Sequence, residues 1–236
     1  MLNSSMSKTK KLTYFAILTA LVVVLQFTAN AVKIGAVTLN FVLVPLIVCG
    51  MVLGAAYAIA LGAIIGVIIL LSGVIGMDGF TNVLFGEAPV VITLVCVLKT
   101  ALAGLAGALI FKFFYKKHRL LGTFLSAAAT PIVNTGVFVL GMLTITSSLV
   151  SNGYIDGGKQ ALVAICVGLV GVNFVFELIL NLVLAPAVYR VIEILEKSFN
   201  KDAETEVSNA YASEASDGKN KYDKTNDLTD STENDK

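Results

Sequence analysis

The chain has 236 residues, 56% of them hydrophobic and only 14% charged, with a formal net charge of +1. Soluble domains carry about 25% charged residues, so a water-soluble globular protein is excluded and an integral membrane protein is left. Nothing in the balance of charge marks a nucleic-acid partner.

The N-terminal "SKTKK" leads into "LTYFAILTALVVVLQFTANA", a first span over Leu12–Ala31. Ala29-Asn30-Ala31 has the form of a secretory cleavage site. The apolar region exceeds the 7–15 residues usual for a signal and is followed by further apolar segments, so a retained helix is expected. Within it Ala16 and Ala20 stand at i, i+4, a small-residue pair that lets a second helix approach closely. Gln26 and Asn30 lie near its end, as weaker polar signals.

From Ile34 to Met77 there is no charged residue. That stretch is about twice the roughly 20 residues one span needs, so it folds back on itself, with "LGAAYA" at Gly54–Ala58 as the turn. Spans two and three follow as Leu39–Ala55 and Tyr57–Ile75. Span four, Pro89–Phe114, carries Lys99 in "VCVLKTALAG", about 15 Å from the start of the helix at 1.5 Å per residue and so close to the bilayer midplane. A lysine there needs an anion or water. The same span repeats the small-residue spacing at Ala103/Gly107 and Gly104/Ala108.

Span five, Gly122–Ile145, contains Pro131 followed by Asn134 and Thr135. Span six, Ala161–Ile192, contains "VNFVFELILNL", in which Asn173, Glu177 and Asn181 recur every four residues and share one helix face. Three polar groups on one face, one of them ionisable, exceed what interhelical hydrogen bonding needs and point to a cavity lining. Asn173 and Glu177 are the better candidates for ligand contact, and Asn181 for packing. Lys99 and Glu177 both fall at mid-depth, and two compatible readings stand for them: an internal ion pair, or contact with a polar ligand. Beyond Lys197 large apolar residues all but vanish, and a disordered polar C-terminal tail is expected over 197–236, after a membrane domain over 1–196.

Loop charge sets the orientation. Lys8, Lys10 and Lys11, then Lys112, Lys116, Lys117 and Arg119, then Arg190 and Lys197 flank one side, against Lys33 and Lys159 on the other. The positive-inside rule places both termini in the cytoplasm. The expected fold is therefore an all-α integral membrane protein of six transmembrane helices with both ends inside. Cys49, Cys96 and Cys166 lie in apolar runs without metal-ligand spacing and read as buried thiols. His118, the single histidine, sits in a basic loop. There is no Walker loop, no histidine cluster and no serine in a G-x-S-x-G setting, and no D-x-D-type carboxylate pair faces the inner leaflet. No enzyme chemistry, metal or cofactor is expected, and an ATP-driven process would need ATPase partners.

The six-span plan, "AILTA" in span one, "TLNFVLVPLIVCGMVLGAAYA", "ATPIVNTGVFVLGML" and "NFVFELILNLVLAPAV" together resemble the substrate-binding S components of energy-coupling factor (ECF) vitamin transporters. The resemblance covers about residues 10 to 196. It implies capture of a vitamin or precursor from outside, and docking through Ala16 and Ala20 onto a transmembrane coupling subunit that carries two cytoplasmic ATPases. Family members often have a charged Gly-Pro-Lys turn where this chain has Gly54-Ala55-Ala56, and an arginine in place of Lys99, so the substrate is not carried over. Substrate-binding candidates are Lys99, Asn134, Asn173 and Glu177. A mid-depth lysine suits a carboxylate-bearing ligand, which puts pantothenate first and riboflavin or folate next. The alternatives are a secondary transporter coupled to protons through Glu177, and a membrane enzyme using Lys99 and Glu177.

Overall fold

The computed structural model of the chain describes residues 6–31, 33–34, 37–38, 41–151 and 170–230. They form seven helices: α1 (Lys8–Ala31), α2 (Leu43–Val52), α3 (Ala55–Val74), α4 (Gly79–Glu87), α5 (Pro89–Phe114), α6 (Arg119–Ser151) and α7 (Gly171–Asp230). The only extended backbone among the described residues is the antiparallel pair β1 (Lys33–Ile34) and β2 (Val37–Thr38), with Lys33 opposite Thr38. Two compact units divide the chain, Met1–Ile192 and Glu193–Lys236.

Among the described residues five helices are long and apolar enough to cross a membrane: the segment Lys8–Ala29 of α1, α3, α5, and the segments Arg119–Ile145 of α6 and Gly171–Phe199 of α7. The second expected span differs. It is the 10-residue helix α2, whose backbone rises only about 15 Å. Its apolarity serves the protein interior instead of lipid, because Leu43, Pro45, Leu46, Ile47, Cys49 and Val52 are all buried. The chain then reverses where the uncharged stretch had to fold back. Gly54 has φ +95°, a conformation that a side chain disfavours, and α3 starts at the next residue.

Helix α5 is the centre of the bundle and packs against α2, α3, α4 and α6. Its approach to α3 is a backbone-to-backbone contact. A Cβ on Gly62 or Gly66 of α3 would collide with the carbonyl oxygens of Thr100 and Cys96, respectively. The Thr100 hydroxyl, in turn, donates to the Gly62 carbonyl across the interface. On the α6 side, Ser126 donates to the Gly107 carbonyl at 2.8 Å. These hydroxyl-to-carbonyl bonds spend polar groups inside the protein, where lipid offers no partner. The opposite face of α5 carries Val90, Leu94, Leu98 and Leu102, four residues apart and all exposed. An outward stripe of large apolar residues is what a lipid-facing surface requires.

Helix α4 lies between the third and fourth expected spans. Asp78 caps it: its carboxylate accepts from the Phe80 N–H at 3.2 Å and from the Thr81 hydroxyl. Asn82 ties the helix back to α3 by donating to the Gly73 carbonyl at 2.8 Å. Pro89 at the first position of α5 then restarts the chain.

In the C-terminal unit, where a polar tail is expected, the described residues continue the helix through Asp230. Low hydrophobicity removes the means to bury surface, but local backbone hydrogen bonds need none. Between Pro186 and Asp230 there is no further proline, and Gly218 is the single glycine.

Candidate functional site

Among the described residues, the last three long helices bury Thr100, Ser126, Thr130, Asn134, Glu177 and Asn181. On α7, Glu177 (4% exposed), Asn181 (1%), Ala185, Val188 and Ile192 form one buried stripe. Val172, Val175, Phe176, Ile179 and Val183 lie on exposed faces of the same helix. Glu177 and Asn181 therefore face protein, as the exclusion of such groups from lipid demands, and Asn173 is half-buried one turn before them.

Within that stripe the amides are organised around one carboxylate turn. Asn173 Nδ2 donates to Glu177 Oε1 at 3.2 Å, and Asn181 Nδ2 donates to the Glu177 backbone carbonyl at 2.7 Å. Both Asn173 and Asn181 thus have their N–H groups committed, and the Oδ1 atom of each is buried without a hydrogen-bond partner.

Lys99 is half-buried on α5, next to Thr100, whose hydroxyl is locked into the α3 interface. The Lys99 ammonium lies over the ring of Phe138 on α6, 4.8 Å from the centroid. The negative ring face supplies part of the stabilisation that a cation in an apolar bundle lacks. Phe138 in turn packs on Phe80 of α4, with centroids 6.2 Å apart and planes at 54°. One aromatic ladder thus joins the lysine of α5 to the capped helix α4. Asn134 precedes Phe138 by one turn of α6, is 7% exposed, and holds an unpartnered Oδ1.

Lys99 is thereby joined to Phe138; Asn173, Glu177 and Asn181 to one another; and Asn134 to the helix face of Phe138. Sequence reasoning missed Phe138 and Phe80 altogether. No local pattern marks the contact of Phe138 with Lys99 on another helix. Gln26 of α1, weighed as a weak signal, is buried and also leaves its Oε1 without a partner. Lys159, Cys166 and the start of the sixth expected span, residues 161–169, lie outside the described residues. Among the described residues no group of three or more His, Cys, Asp or Glu side chains is placed to hold a metal ion.

The two small-residue motifs differ in environment. Ala103, Gly104, Gly107 and Ala108 of α5 are buried in contacts within the chain. Ala16 and Ala20 of α1 are exposed, beside exposed Ile17, Leu21 and Val24.

Apolar outer faces around buried amides, a carboxylate and a lysine define a multi-pass integral membrane protein with a polar interior. Residues 10–189 match the family model for the ECF transporter substrate-specific component, and the chain belongs to that family. Its members are substrate-binding subunits of transporters and not enzymes. They bind a small molecule and associate with a membrane T component and two ATPases. The chain is accordingly a multi-pass cell-membrane protein of vitamin uptake. No curated protein and no solved structure matches it.

Proposed function

We propose that this chain captures a water-soluble vitamin or precursor on the outer side of the membrane for ATP-driven import, with pantothenate the first candidate and riboflavin or folate next. The observation that carries the reading is a lysine in the central helix of an apolar bundle, over Phe138 of α6 and one turn from buried Asn134, together with buried Glu177 and its partner Asn173 on α7. A cation at this depth suits a ligand carboxylate, and amides one turn apart suit its polar groups.

In this reading α2 is the sixth membrane segment, shortened because it is enclosed by protein, and the basic ends of the helices face the cytoplasm. Ala16 and Ala20 serve as the docking surface for the coupling subunit. Their support is contrast: the other small-residue pairs are consumed by packing within the chain, whereas these two are exposed. The membrane domain ends near residue 196, and the remainder is dispensable for transport.

Mass spectrometry of small molecules copurifying with the detergent-solubilised chain tests the substrate. A carboxylate-bearing vitamin at near-stoichiometric amount, lost on Lys99→Met, is the expected result. A tightly held molecule without any anionic group removes pantothenate and folate together.

A further inference from the structure

The turn joining α5 to α6 concentrates positive charge. Lys112, Lys116, Lys117, His118 and Arg119 fall close together in the chain and are all exposed. No Asp or Glu occurs between Glu87 and Asp156. Helix α5 packs against α2, α3, α4 and α6, and of these only α4 carries an acid, Glu87, at the far end of α5. On α7, by contrast, Arg190 and Lys197 bracket Glu193 and Glu196.

The backbone and rings of the turn hold these cations in place. Lys117 and His118 donate their backbone N–H groups to the Phe114 carbonyl at 3.1 and 2.9 Å, closing the last turn of α5. Buried Phe111 packs edge-on against Tyr115, with centroids 5.5 Å apart, and the Arg119 guanidinium lies over the Tyr115 ring at 4.8 Å. A Cβ on Gly122 would come within 3.0 Å of that of Phe114, so α5 and α6 leave the turn in close contact.

Large apolar side chains stand among the charges. Phe113 is 81% exposed beside Lys112, and Leu120 and Leu121 follow Arg119 with about half their surface open. At the end of a membrane-spanning helix, an exposed ring next to cations belongs at the boundary between acyl chains and headgroups.

We infer that this turn is a binding site for an anionic phospholipid, with Lys112, Lys116 and Lys117 at its phosphate and Phe113 among its acyl chains. A lipid fits better than a free phosphate because the exposed apolar residues are interleaved with the cations, and a soluble anion makes no use of them. The inference goes beyond vitamin capture. Only the leaflet, the cytoplasmic one, depends on the proposed orientation.

The test is native mass spectrometry of the full-length chain in detergent with added dioleoyl phosphatidylglycerol or dioleoyl phosphatidylcholine, giving a dissociation constant for the first bound lipid. Phosphatidylglycerol should bind at least about tenfold more tightly, and this preference should fall as salt rises. Lys116→Gln with Lys117→Gln should weaken phosphatidylglycerol binding by about tenfold or more, at roughly fivefold per cation, and leave phosphatidylcholine unchanged. Arginine at both positions should retain the affinity. Lys219→Gln with Lys221→Gln removes the same charge from the acidic C-terminal segment and should change the affinity by less than about twofold. Size exclusion establishes folding; where the double Gln variant fails it, Lys117→Gln alone should show the roughly fivefold loss. Equal binding of the two lipids, undiminished affinity in the Gln variants, or an equal loss in the C-terminal variant overturns the inference. Displacement of the lipid by excess inorganic phosphate also overturns it. Vitamin capture stands in every case.

Discussion

The Lys99 ammonium sits 4.8 Å above the centre of the Phe138 ring, joining the central helix α5 to α6. A ring face is a modest partner for a cation, worth about 0.5–2 kcal/mol depending on desolvation. It holds the side chain in place without neutralising it. A carboxylate is a stronger partner for an ammonium, so under the proposed function a ligand anion would draw Lys99 off the ring.

Phe138→Leu is therefore expected to destabilise the unligated chain by about 1–3 kcal/mol, combining the lost cation–π contact with the smaller side chain. Thermal unfolding in detergent measures this. In a Lys99→Met background the same substitution should cost less, because the cation term is already gone. An identical cost in both backgrounds assigns Phe138 to packing alone.

The roles of Lys99 and Glu177 separate in a double-mutant cycle. If both contact ligand, Lys99→Met combined with Glu177→Gln should bind vitamin no better than the worse single variant. An internal ion pair gives the opposite pattern: each single variant fails, because one buried charge is left alone, and the double variant recovers. Dissociation constants for the four proteins decide the matter, and near-normal affinity in the double variant removes both residues from the site.

The helices were legible because membrane burial writes long apolar runs, and α5 begins at Pro89 and ends at Phe114 where the pattern placed its span. The stripe on α7 was legible for a related reason: a polar residue every fourth position among Leu, Ile and Phe has one possible face. Span two was not, because hydropathy treats Leu43–Val52 alike whether lipid or protein covers it. The capped helix α4 was hidden by Gly and Asn residues that also make loops, although Asp78 preceding Thr81 by three residues carried an N-cap signal. Phe138 escaped because its partner lies 39 positions away, at Lys99, and no local periodicity encodes a contact between helices.

Removal of residues 201–236 is expected to leave ligand binding and uptake unchanged. The segment is helical through Asp230, but its composition provides little apolar surface to bury. Uptake of labelled vitamin by cells expressing matched amounts of full-length and truncated chain checks this. A severalfold drop in uptake by the truncated chain would assign the segment a function.

Docking and binding should also come apart. Ala16 and Ala20 are exposed on α1, next to Ile17, Leu21 and Val24, and a helix laid against them can approach closely because neither carries more than a methyl group. Replacing both with Leu keeps the surface apolar and the helix propensity high, so the variant should insert and fold normally. What changes is interhelical distance, which two isobutyl groups would increase by more than a tight interface tolerates. The expected outcome is loss of copurification with the T component and ATPases and at least about tenfold lower uptake, with the affinity of the isolated chain for vitamin unchanged. Complex formation at the wild-type level by the double Leu variant would move the docking surface elsewhere on the chain.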